Sequence, residues 1–265
     1  MSEHLVVDIA LGVGTIVFNR PEKLNAVSAE MAEALVGIAQ KLERDPEVRC
    51  VLIRGEGPSF CSGGDIGGFH ESLAADRFGH ANRMEQRVVN GHLTFHRLRR
   101  MAKPVIVATH GNTAGMGISL MCCADLVIAA DDSQYTLAYR HIGLSLDGGV
   151  SFFLPRIVGE RRALEMALLG ERLDAARAAE WGLVNRVVPA ADLTAEAEKL
   201  ARRLAAGPTR ALGEIKRLIR RSFQSSWDEQ SAAEAFAIAE TVATDDHLEG
   251  VSAFVEKRRA TFTGR

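Results

Sequence analysis

An α/β fold is predicted by three observations. Apolar, strand-like runs alternate with helix-like segments through the first two thirds of the chain. Two of those runs, VRCVLIRG and KPVIVATHG, each end in a glycine-bearing turn that leads into a helix-like stretch. From Glu160 onward the pattern is mainly helical. Alternation of this kind builds a sheet with helices packed against it.

Taken in order, VVDIAL and GTIVFN read as a hairpin around Gly12 and Gly14. Ser28 is placed to cap a helix whose apolar residues Met31, Leu35, Ile38 and Leu42 recur at helical spacing. Cys50 to Arg54 reads as a buried strand. A helix is expected from about Asp76 to Met101, ending before Pro104. PVIVAT is then a strand, the segment after Gly111 a helix, and ADLVIAAD another strand. Asp174 to Trp181 is a short helix stopped by Gly182, followed by the brief strand LVNRVV. Asp192 is expected to cap a helix carrying Leu193, Ala197, Leu200 and Leu204, closed by Gly207-Pro208. Two further helical segments are expected to run to the C-terminus.

With 265 residues, the chain is long enough to bury a full core. Its formal net charge of −2 provides no long-range attraction for nucleic acid or an anionic membrane, and no concentrated basic stripe is read in it. No apolar run approaches the roughly 20 residues that span a bilayer, and the N-terminus lacks signal-peptide character. The four cysteines suit buried, reduced thiols in a cytoplasmic protein better than a disulfide framework.

The two turns, Phe60-Cys61-Ser62-Gly63-Gly64-Asp65-Ile66 and Gly111-Asn112-Thr113-Ala114-Gly115-Met116-Gly117, hold the chemical interest. Facing one another, they would aim two backbone N–H groups at one oxygen, the arrangement of an oxyanion hole. They match neither a phosphate-cradling P-loop nor a dinucleotide fingerprint. His92 and His96 have helical i, i+4 spacing but lack an evident acidic or cysteine partner, so surface or packing roles are favoured over a metal site. Cys61 has no placeable dyad partner, and packing is its default role. Asp147, in LSLDGGVSF after an expected strand, is either a turn former or a carboxylate projecting into a pocket. Composition does not separate those two.

In sequence order, GTIVFNRPEKLNAVS, SFCSGGDI, KPVIVATHGNTAGMGISLMCCADLVIAA, IGLSLDGGVSFFLPRIVG and LLGERLDAARAAEWGLVNRVV resemble the enoyl-CoA hydratase/isomerase (crotonase) superfamily, and EGVSAFVEKRRATFTGR resembles its closing helix. The resemblance implies a spiral of ββα units with two near-perpendicular sheets. It implies an acyl-CoA-binding core over residues 1–190 and a C-terminal helical trimerisation arm over 191–265, giving a homotrimer or a dimer of trimers. The substrate it implies is an acyl-CoA thioester, with no separate cofactor and no metal.

By the same resemblance, the N–H groups of Gly64 and Met116 would hold the thioester oxygen. Ser62, Asp65, Ile66, Ser119 and Tyr139 would contact substrate, and Lys23, with the cations around Lys257 and Arg258, would meet the CoA phosphates. Phe69 to Val89, with its histidines and Met84, would shape the acyl pocket. The two glutamates of the hydratases are replaced by Ser119 and Tyr139, and neither is a carboxylate base. Asp147 aligns with an aspartate of isomerase branches, including dienoyl-CoA isomerases and the ring-epoxide isomerase of phenylacetate degradation. The expected activity is therefore an enoyl-CoA isomerase with Asp147 as the proton shuttle. A hydratase or other crotonase reaction, or a non-catalytic acyl-CoA-binding subunit, are the alternatives.

Overall fold

The structure is a computed structural model and describes residues 3–265. The hairpin forms from β1 (Leu5–Ala10) and β2 (Val13–Phe18), but its turn is Leu11-Gly12, both at positive φ. Gly14 lies inside β2, facing the next helix: a Cβ there would sit 2.8 Å from Leu42 Cδ2. That helix, α1 (Ala29–Arg44), starts where Ser28 accepts a hydrogen bond from Met31 N at 3.1 Å.

Strand β3 (Cys50–Gly55) follows, then α2 (Ile66–Ala75) and α3 (Arg77–Arg100), the latter capped by Asp76. After β4 (Val105–Thr109) the chain forms a short strand β5 (Asn112–Ala114) before α4 (Met116–Cys123) begins. The helix expected directly after Gly111 is thus delayed, because Thr113 first bridges to Cys61. Next come β6 (Leu126–Ala130), β7 (Gln134–Thr136) and a 3₁₀ turn over Ala138–Ile142. Asp147 follows that turn and an irregular stretch, not a strand. It directly precedes α5 (Val150–Val158).

The remainder comprises α6 (Glu160–Leu169), β8 (Leu173–Asp174), α7 (Ala175–Glu180), β9 (Arg186–Val188) and α8 (Leu193–Ala205). Asp174 caps α7, whereas the Asp192 side chain makes no cap bond to α8. Three helices, one more than expected, complete the chain: α9 (Thr209–Ser222), α10 (Trp227–Val242) and α11 (Asp245–Val255). The final ten residues are not helical. They fold back, with Thr263 N and Gly264 N donating to the Asp246 carboxylate at 2.6 and 2.8 Å.

Six strands form one sheet in the order β1-β2-β3-β4-β6-β9, parallel except for the hairpin, and β5-β7-β8 form a second. Side chains alternate across the large sheet with the strand period of two. Val51, Ile53, Val105 and Val107 face the main core with α1, while Cys50, Leu52, Ile106 and Ala108 face α8. Burial on both faces explains why these strands are continuous apolar runs. The sheet thereby fixes the ends of β3 and β4, where the two glycine turns leave it.

Candidate active site

The two turns meet. Ala114 N donates to Cys61 O at 2.9 Å, and a Cβ on Gly115 would lie 3.4 Å from Gly63 Cα. Gly63 and Gly115 both have positive φ, 103° and 47°, which is why side-chain-free residues stand at this crossing. The segment around Arg20 supports the first turn from below. Arg20 Nη1 pairs with Asp65 Oδ2 at 2.6 Å, and Asn25 Nδ2 donates to Glu56 O and Ser59 O at 2.9 and 2.7 Å. Val27 N donates to Gly63 O at 2.8 Å, and Asp65 N donates to Val27 O at 3.1 Å.

Gly64 N–H takes no part in that ladder. Met116 N–H belongs to the first turn of α4, where no intrahelical acceptor exists. Among the described residues, neither N–H has a hydrogen-bond acceptor. Both residues line a cavity of about 220 Å³, which is mainly apolar. Met116 contributes its side chain to the wall as well, together with Ile66, Phe69 and Met84. Polar donors set into an apolar cleft are the usual composition of a small-molecule site.

Asp147 also lines this cavity, and among the described residues it is the only carboxylate that does. Tyr139 Oη donates to Asp147 Oδ1 at 2.6 Å. Burial, and then the Asp147 charge, push the Tyr139 phenol far above its ordinary value, so it remains a donor at neutral pH. Gly148 and Gly149 follow at φ 58° and 80° and lead into α5. A Cβ on Gly148 would collide with Ser119 Oγ and stand 2.7 Å from Ser119 Cβ. Ser119 itself is fully buried on α4, behind the cavity surface.

Ser62, Gly64, Ile66, Met116, Tyr139 and Asp147 are therefore brought to one cavity, and other expected residues are not. Asp65 is occupied structurally: it caps α2 through Gly68 N at 3.2 Å and pairs with Arg20, which holds its carboxyl below the usual range. Lys23 is exposed beside the first turn, its carbonyl 3.5 Å from Ser62 Oγ, and does not line the cavity. Lys257, just past α11, does not line it either, and Arg258 is taken up by Glu249 and Glu256. Burial pushes the Cys61 thiol up to about 12, which suits packing and not nucleophilic attack.

One wall was only partly foreseen. Met84, Arg87, Val88, Gly91 and Phe95 of α3 share one helical face and line the cavity, so the stripe extends past Val89. Arg87 places its guanidinium 5.0 Å from the Phe69 ring centroid and donates to Val27 O. Spacing of four, three and four residues between Met84, Val88, Gly91 and Phe95 was the available signal. The histidines of Phe69–Val89, His70 and His80, do not line the cavity.

His92 and His96 line a second cavity, of about 670 Å³, between α3, α5 and α9. Its walls carry Arg99, Arg100, Lys216, Arg217, Arg220 and Arg221. The expectation of no concentrated basic region is corrected here: cations from two distant stretches are gathered by the fold.

Residues 8–265 match the family model for enoyl-CoA hydratase/isomerase. The chain is 37% identical over 266 residues to 1,2-epoxyphenylacetyl-CoA isomerase of Escherichia coli (strain K12), covering 100% of each chain. It is 36% identical over 216 residues to 4-chlorobenzoyl coenzyme A dehalogenase-2 of an Arthrobacter species, covering 82% of this chain and 77% of that one. The crystal structure of an enoyl-CoA hydratase from Polaromonas sp. JS666 superposes with a TM-score of 0.90 at 32% identity, over 97% of this chain and 99% of that one. With the match spanning nearly its full length and the fold agreeing, the chain belongs to the enoyl-CoA hydratase/isomerase family, on the crotonase fold.

Proposed function

We propose that the protein is an enoyl-CoA isomerase in which Asp147 moves a proton along the acyl chain of a CoA thioester. The observation that carries this reading is the lone carboxylate: Asp147 lines the cavity, hydrogen-bonded by Tyr139 at 2.6 Å, and among the described residues no second acid lines it. Water addition in this family's two-acid manner needs one group to activate water and another to deliver a proton. An allylic shift needs one group only. Asp147 takes the proton from the carbon next to the thioester carbonyl, the electron pair delocalises into a dienolate, and the same carboxyl returns the proton at the far end.

Gly64 N–H and Met116 N–H are the proposed oxyanion donors. Hydrogen bonds to the thioester oxygen acidify the adjacent C–H and stabilise the dienolate, a contribution of about 3–4 kcal/mol per donor in comparable sites. The names of the relatives fit an acyl-CoA substrate, including an epoxyphenylacetyl-CoA isomerase. Exposed apolar side chains on α9 to α11 and at the end of α9, among them Ile219, Phe223, Phe236 and Phe254, support assembly through this arm, as a homotrimer or hexamer in our reading.

The test is turnover of a 3-enoyl-CoA in ¹⁸O-labelled water. A 2-enoyl-CoA free of label is expected, and Asp147→Asn should lose at least about 100-fold in kcat while still binding the thioester. Label at the β-oxygen of a hydroxyacyl product would establish hydration instead. Full activity in Asp147→Asn would remove the aspartate from the mechanism.

A further inference from the structure

Arg87 on α3 reaches Gly64 by two separate routes. Its guanidinium lies 5.0 Å from the Phe69 ring centroid, and Phe69 fills the space where a Gly64 side chain would stand: a Cβ there would be 2.8 Å from Phe69 Cζ. Its Nη2 donates to Val27 O, and Val27 is the residue bridged to Gly64. Val27 N donates to Gly63 O and Asp65 N donates to Val27 O, so Val27 grips the chain on either side of Gly64. Among the described residues Arg87 makes no other hydrogen bond, ion pair or ring contact.

The fold does not depend on either contact. Val27 O already accepts from Asp65 N at 3.1 Å, so no buried carbonyl is left unpaired without Arg87. The charge is also costly where it stands. Arg87 is half-buried in the wall of a mainly apolar cavity, and burial pulls its pKa below the ordinary value against the opposing charges of Asp65 and Asp147. An unbranched apolar side chain of similar reach would avoid that desolvation. What the arginine adds is restraint on a flexible turn: Gly64 has no side chain of its own to pack, and Gly63 before it stands at φ 103°. A backbone donor stabilises a developing oxyanion only while it is held at the right place, and a misplacement of about 1 Å can cost about 100-fold in rate.

Resting on the reading of the Gly64 and Met116 N–H groups as oxyanion donors, we infer that Arg87 is a positioning residue: by holding Phe69 against Gly64 and anchoring Val27 O, it fixes the aim of the Gly64 N–H at the thioester oxygen.

The experiment uses a saturated acyl-CoA carrying ¹³C at the thioester carbonyl, which has no double bond to shift. Infrared spectroscopy of the bound thioester reads the polarisation of that carbonyl, and in wild type its C=O stretch is expected to fall below the solution value. Arg87→Met should remove most of that fall, lower kcat on a 3-enoyl-CoA roughly 10- to 100-fold with KM changed less than about threefold, and leave Tm at or above the wild-type value. Arg87→Lys, which keeps a donor for Val27 O, should recover part of the fall and part of kcat. Phe69→Leu, which removes the other route, should weaken the fall as well. A stretch that Arg87→Met leaves unchanged overturns the inference, whatever kcat does. So does a lost fall that comes with a lowered Tm and is not recovered in Arg87→Lys, which assigns Arg87 to the fold alone. If wild type does not turn over the 3-enoyl-CoA, the isomerase reading falls and the carbonyl stretch still decides this one. A stretch that does not fall in wild type overturns the oxyanion reading and this inference with it.

Discussion

Tyr139 donates a hydrogen bond from its phenol to Asp147 across 2.6 Å, and among the described residues Asp147 is the one carboxylate that lines the cavity. The contact joins the 3₁₀ turn before Gly143 to the turn before α5. It orients the carboxyl and leaves the other oxygen, Oδ2, without a hydrogen-bond partner among the described residues.

Tyr139→Phe is expected to lower kcat roughly tenfold with a smaller change in KM, the effect of losing one hydrogen bond to a charged group. Because the phenol's pKa is raised, wild-type kcat should show no tyrosine titration up to about pH 10, the ordinary tyrosine value. Steady-state kinetics across pH measure both.

Gly148→Ala should damage stability and activity together. The added methyl meets Ser119 at a backbone of φ 58°, and the loss is expected to be roughly 2 kcal/mol or more. Ser119→Ala in the same chain should recover only part of this, since Ser119 Cβ remains 2.7 Å from the new methyl. Urea unfolding of the single and double variants gives the comparison.

The Arg20–Asp65 pair predicts a specific acid sensitivity. Asp65 has a depressed pKa in the folded state, so its contribution is fully present above the unfolded value and drains as pH falls through the folded one. Arg20→Gln should therefore destabilise by about 1–2 kcal/mol at pH near 7 and by less at pH near 3, as protonation of the carboxyl removes the pair's contribution. Chemical denaturation at the two pH values tests the convergence.

Cys50, Cys61, Cys122 and Cys123 are all buried, and burial raises each thiol pKa. Native protein at about pH 8 should resist iodoacetamide, and all four should react after unfolding in guanidinium. Mass spectrometry counts the adducts.

Much of the scaffold was legible because its causes are local. The continuous apolar run of Cys50–Gly55, the cap at Ser28 and the helical spacing from Met31 to Leu42 can each be read within a few residues. Misreadings arose where a distant partner intervened. Thr113 bridges Cys61 and draws the chain after Gly111 into a strand before α4 can start. Asp192 precedes a helix, as a cap would, yet its side chain does not bond to it. Asp65 carries the right chemistry for a ligand but is consumed by Arg20 and by the start of α2.

The sequence by itself determined the class of the fold, the family resemblance and the residue types available for chemistry: two glycine turns, one Asp-Gly-Gly and no glutamates at the two expected positions. Only tertiary structure decided which of these share a cavity, that Tyr139 holds Asp147, and that Arg99 and Arg100 meet the cations of α9. A net charge of −2 is a sum over the chain and conceals that basic cavity. Charges interact through space, and residues about 120 apart became neighbours only when α9 packed against α3 and the Asp125 carboxylate fixed it there.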